Sequence, residues 1–251
     1  MAATADDTEE HTDASDPAPA ARGRRPGRIA MAVSVLGEIL ITVGLLLALF
    51  VVYSLWWTNV IADRKANKEA DRVRRNWAHS TASGPGALDT KDGIGFLHVP
   101  AMKNGEVLVE KGTGTDVLND GVAGYYTEPV KATLPMSGKT GNFTLAAHRD
   151  GHGAKFHNID KVRKGDPIVF ETRDDWYVYK VFSILPETSK YNVKVTDQVP
   201  KESGKKKPGH YITLTTCTPV YTSEYRYVVW GELVRVEKVD SERTPPAELR
   251  G

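Results

Sequence analysis

The chain has 251 residues, a formal net charge of +1 and a single cysteine. The length holds one domain of ordinary size plus appendages. Balanced charge supplies no global field for nucleic acid, and a lone thiol excludes an internal disulfide, so the fold rests on its core.

Residues 1–28 are rich in Ala, Asp, Glu, Thr and Pro, with almost no large apolar side chain, which predicts a disordered tail. Residues 29–57, IAMAVSVLGEILITVGLLLALFVVYSLWW, exceed the roughly 20 that span a bilayer and carry one charge, Glu38. Tyr53, Trp56 and Trp57 at the end of the run suit an aromatic belt at the headgroups. The run is too long for the apolar core of a cleaved signal peptide, so it predicts an uncleaved anchor in the lipid bilayer. Arg22, Arg24, Arg25 and Arg28 precede it, while Arg64, Lys65, Lys68, Arg72, Arg74 and Arg75 follow it. That count leans toward a cytoplasmic C-terminus without fixing the orientation.

Residues 58–93 read as stalk and linker. ADRKANKEADRVRRNW, Ala62–Trp77, combines helix formers and charge without an apolar stripe, which predicts a solvated helix. TASGPGALDTKDG, Thr81–Gly93, breaks any helix. Residues 94–240 read as an all-β domain. Runs rich in Val, Ile, Thr, Tyr and Phe begin at Gly95, Val107, Asn142, Pro167, Trp176, His210 and Tyr225, separated by Gly, Pro, Asn and Asp. TDVLNDG and AKFHNIDKV predict single helical turns between them. Many short strands and few helices give a small barrel or sandwich. SGKKKPG, Ser203–Gly209, is a solvated loop, and residues 241–251 form a C-terminal tail.

The lone thiol, Cys217, closes the strand HYITLTTC. Alternation puts Ile212 and Leu214 on one face and Tyr211, Thr213, Thr215 and Cys217 on the other, more polar one. The short connection to the next strand makes the two antiparallel neighbours, which brings Arg226 beside Cys217. A guanidinium there favours a thiolate and can stabilise a developing oxyanion. Of seven histidines, His148 also ends a strand, NFTLAAH, on its less apolar face, whereas His152 and His157 fall in the following loop. One cysteine and scattered histidines lack the spacing of a zinc site.

TLTTC, followed nine positions later by Arg226 and preceded upstream by AHR, resembles the signature of the sortase family over about Gly95–Val239. LAAHRD, RYVVWGEL and the N-terminal anchor resemble the class E sortases of actinobacteria. The resemblance implies an eight-stranded β-barrel on the outer face of the cytoplasmic membrane, with the N-terminus inside. It implies cleavage of a C-terminal sorting signal between Thr and Gly, of LAxTG type, on secreted proteins. Transfer to a peptidoglycan-precursor amine follows. In that scheme Cys217 is the nucleophile, His148 the general acid/base and Arg226 the oxyanion stabiliser. Thr215 and Thr216 flank the nucleophile and join the substrate-contacting set. GYYTEP, Gly124–Pro129, resembles the segment carrying a substrate-reading tyrosine, a role for Tyr126 with Tyr125 as the alternative. No cofactor, metal or nucleic acid enters the scheme. The alternatives are a pilin-type or LPxTG-preferring sortase, or a non-catalytic membrane-tethered module that binds cell wall. An L,D-transpeptidase expects His and Gly just before the cysteine, where Thr215 and Thr216 stand.

Overall fold

The β-rich half of the sequence closes on itself. In the computed structural model, which describes residues 27–79 and 93–250, eight strands form a closed barrel. They are β1 (Gly95–His98), β2 (Glu106–Lys111), β3 (Ala123–Tyr125), β4 (Gly141–Ala146), β5 (Pro167–Glu171), β6 (Asp175–Ser189), β7 (His210–Thr218) and β8 (Tyr225–Lys238). Around the barrel the order is β1-β2-β3-β4-β7-β8-β6-β5, and β5 pairs with β1 to close it. Closure removes the exposed sheet edges that would otherwise recruit other chains. Alternate positions fill the interior with Leu97, Phe143, Leu145, Phe170, Ile212 and Leu214, each at most 1% exposed. Each such side chain contributes about 1.5–3 kcal/mol on burial.

Seven of these strands match the runs read from the residues. The eighth, β3, is three residues long and pairs in parallel with β2. Gly124 is required there, because a Cβ would collide with the Gly112 carbonyl oxygen. The two expected helical turns are α2, Thr115–Leu118, numbered after the N-terminal helix below, and a 3-10 turn at Ile159–Lys161.

The N-terminal helix α1 runs from Arg28 to His79. Residues up to Phe50 and those from Val51 onward form separate units. The first is a helix whose apolar side chains are exposed all round, with Leu45, Leu46 and Leu47 each 60% exposed. It is long and apolar enough to cross a membrane. In the second, the helix departs from the solvated stalk that its charge predicts. Ala66 and Val73 are buried with Phe96, Leu108 and Val122, and Trp77 meets Phe96 edge to face at 5.3 Å. The stripe Ala62, Ala66, Ala70, Val73, Trp77 recurs at helical spacing, but small alanines hide it among good helix formers.

The expected C-terminal tail also packs. Arg235 holds Glu248 through two hydrogen bonds, at 2.7 and 2.6 Å. Arg243 reaches Glu171 at 2.6 Å. Of the expected tail at 1–28, residues 1–26 lie outside the described residues, as does the linker apart from Gly93, while Arg28 already opens α1.

Glu171 joins three segments. Its buried carboxylate accepts from Arg74 of α1 at 2.9 and 3.0 Å, from Arg243, and bonds His98 of β1 at 3.0 Å. Burial pushes its pKa up, but the bonds to His98, Arg74 and Arg243 outweigh that and hold it down at about 2. A carboxyl depressed on folding contributes stability above its unfolded value, and that contribution is lost as pH falls toward the folded one. The drop from 4.5 to about 2 is worth about 3 kcal/mol, lost between those two pH values. The melting temperature of the full chain in micelles is therefore expected to fall between pH 5 and 2 more steeply than that of Glu171→Gln. Parallel slopes would show that the hub carries no net stability.

Candidate active site

Two strand pairings assemble the site. In β7–β8, Cys217 stands directly opposite Arg226, so their side chains share one face of the sheet. The expected neighbour relation is what the register shows. Arg226 Nη1 donates to the carbonyls of Ser223 at 3.1 Å and Tyr225 at 2.9 Å. These bonds brace the guanidinium, and Nε and Nη2 have no acceptor among the described residues.

The second pairing is β4–β7, which is parallel and ends at Ala146 opposite Thr215. The Ala147 N–H carries it one step further, to the Thr215 carbonyl at 3.4 Å. His148 lies two residues past Ala146, and Cys217 two past Thr215. Both therefore emerge at the same edge of adjacent strands. Thr215 and Thr216 stitch this seam, donating their hydroxyls to the carbonyls of Leu145 at 3.2 Å and Ala147 at 2.7 Å. Beneath it the buried Arg149 donates to Thr218 Oγ1 at 2.8 Å and the Cys217 carbonyl at 3.5 Å, and pairs with Asp160 at 3.3 Å.

These groups open onto a cleft of about 760 Å³, lined by Tyr126, His148, Thr215, Thr216, Cys217 and Arg226 together with loop residues such as Thr113, Leu118 and Tyr221. Cys217 is partly exposed, within reach of a ligand in the cleft. The phenol of Tyr126 hydrogen-bonds Thr215 Oγ1 at 3.0 Å. Tyr125 points away into the barrel core and is 5% exposed. Of the two candidate tyrosines, only Tyr126 lines the cleft.

His148 is half-buried, and burial pushes its pKa below the ordinary histidine value. His152, with its ring 5.3 Å away, pushes in the same direction, and Asp150 opposes both. His148 Nε2 bonds Asn119 Oδ1 at 2.9 Å. Reading by residue type missed Asn119, Arg149, Asp150 and Tyr221, since a partner far away in sequence leaves no local pattern. The Tyr221 N–H donates to Asp150 Oδ2 at 2.6 Å, which ties the β7–β8 connection to the residue two past His148. His157, in the loop after His148, bonds the Arg149 carbonyl at 2.9 Å.

A second group, His98, Glu106 and Glu171, brings three potential ligand atoms within 4.8 Å of one another near β1, β2 and β5. Arg74 and Arg243 already engage its carboxylates, so the donor set is a salt-bridge hub rather than a cation cage.

The fold and the cleft define the class, a cysteine transpeptidase on a closed β-barrel. A sortase-domain model matches residues 97–234, more than half of the chain, and the chain belongs to the sortase family. It is 72% identical to sortase SrtE2 of Streptomyces coelicolor over the full length of both. It is 47% identical to SrtE1 of the same organism, over 90% of this chain and 64% of that one. The crystal structure of S. coelicolor sortase E1 with a tripeptide in the active site is similar, with a TM-score of 0.59 and 46% identity over 66% of this chain and 99% of that one. Sortase E of Streptomyces avermitilis is similar at a TM-score of 0.55 and 33% identity, over 63% of this chain and 97% of that one.

Proposed function

We propose that the protein is a membrane-anchored class E sortase that cleaves LAxTG-type signals between Thr and Gly and transfers the protein to a cell-wall amine. The observation that carries this reading is the pairing of Cys217 with Arg226 across one rung, with His148 beside them across the parallel seam.

The Cys217 thiolate attacks the Thr carbonyl carbon, and the carbonyl oxygen takes the displaced electron pair. The unbonded N–H groups of Arg226 receive that charge. Protonated His148 gives its proton to the glycine nitrogen as the C–N bond breaks, leaving a thioester on Cys217. The acceptor amine then attacks, loses a proton to His148, and the C–S bond breaks. Burial holds the His148 pKa below the ordinary histidine value, which favours its neutral form at rest. The apolar helix serves as anchor, with the N-terminus cytoplasmic and the barrel outside, where secreted substrates arrive.

Tyr126 supports the choice of signal. Alanine at the second position offers a backbone N–H that proline lacks. The Tyr126 phenol, placed in the cleft by Thr215, can accept that N–H directly or through water. Leaving the group unpaired costs about 1–3 kcal/mol, roughly tenfold or more in discrimination. The test follows cleavage of LAxTG and LPxTG peptides by mass spectrometry in wild type, Tyr125→Phe and Tyr126→Phe. The expected result is a preference for LAxTG that narrows in Tyr126→Phe alone, chiefly through slower LAxTG cleavage. Equal rates on both peptides in wild type would remove the proposed signal, and an unchanged ratio in Tyr126→Phe would remove the tyrosine.

A further inference from the structure

The orientation of His148 is set by a side chain from outside the barrel wall. Asn119 directly follows α2, and its N–H closes that turn on the Thr115 carbonyl at 3.0 Å. Its side-chain oxygen lies 2.9 Å from His148 Nε2. An amide oxygen only accepts, so this contact keeps a proton on Nε2 and leaves Nδ1 as the nitrogen that exchanges protons. The bond is present in the neutral imidazole and strengthens when the ring is protonated.

The turn carrying Asn119 is held in place by α1. Asp120 pairs with Lys65 at 2.6 Å. Gly121, at φ +75°, lies so close to Ala62 that a Cβ would come within 3.0 Å of the Ala62 carbonyl oxygen. The same stretch of helix grips the loop after His148. Asn59 accepts from the Gly153 N–H at 2.9 Å, and Asp63 pairs with Lys155 at 2.8 Å. One side of α1 thus supports both partners of the Asn119–His148 contact.

We propose that Asn119 is a positioning residue, which fixes the tautomer and aim of His148 through this hydrogen bond, with α1 holding the turn that presents it. The inference rests on His148 being the acid/base of the proposed function. The other charged or titratable groups around the imidazole are His152 and Asp150 from its own loop, Arg149 beneath it, and Cys217 and Arg226 from β7 and β8. The Lys65–Asp120 pair lies beyond Asn119.

The test uses the full chain in micelles with histidine labelled at Cε1, and the His148 resonance assigned by its loss in His148→Ala. Removing the acceptor in Asn119→Ala is expected to lower the His148 titration midpoint, and a carboxylate in Asn119→Asp to raise it. Each shift should be about half to one pH unit. Peptide turnover in Asn119→Ala should fall about five- to tenfold in kcat, with KM within about twofold. A residue that merely filled space would leave the midpoint alone. Midpoints and kcat unchanged in both variants, with His148→Ala inactive, would overturn the role of Asn119 only. Full turnover in His148→Ala would overturn the acid/base assignment itself, and this inference with it.

Discussion

Cys217→Ala is expected to abolish peptide cleavage, lowering turnover by at least about four orders of magnitude. Without sulfur no atom in the cleft can form the acyl bond, and the flanking Thr215 and Thr216 hydroxyls are engaged by the backbone carbonyls of Leu145 and Ala147. The site is partly exposed, so loss of one sulfur leaves no buried cavity and the melting temperature should stay near that of wild type. Mass spectrometry of a thioester adduct on wild type, absent from the variant, would complete the measurement. A folded Cys217→Ala protein that cleaves within tenfold of wild type would sink the mechanism.

Arg226→Lys is expected to reduce kcat by about two to three orders of magnitude with little change in KM. The charge survives that substitution, so the loss reports geometry. One guanidinium nitrogen is committed to Ser223 and Tyr225, and this fixes the plane in which the others face the cleft. An ammonium on a flexible stem cannot hold two carbonyls and keep donors aimed at an oxyanion. Steady-state kinetics on a sorting peptide decide the matter, and a kcat within threefold of wild type would assign Arg226 a structural role at the strand start.

The parts legible in the sequence are those set by short-range rules. The placement of Cys217 against Arg226 followed from alternation along β7 and a connection too short for anything but an antiparallel return. Strand β3 was illegible because three residues with a central glycine carry no alternation. The docking of α1 was hidden because alanines at helical spacing count as helix formers, and only tertiary contact shows them to be an apolar seam. Arg243 and Glu248 looked like a solvated tail, since the partners that order them lie on β5 and β8. Asn119 had no signal, because its distance to His148 depends on how a four-residue helix ends. Charge alone left the membrane orientation open for a different reason, as basic residues flank the apolar run on both sides.

The parallel seam between β4 and β7 has a consequence for how such an enzyme can diversify. Antiparallel neighbours joined by a tight turn would share one short hairpin, and any insertion there would shift both reactive ends. Here the ends leave the barrel side by side, while the chain after each goes its own way, through residues 147–166 on one side and 219–224 on the other. The loop after His148 can lengthen, shorten or be exchanged while His148 and Cys217 keep their spacing, which is fixed by backbone bonds further down the parallel strands. The parallel seam thus separates the geometry of the His148–Cys217 pair from the length of the loop that follows His148.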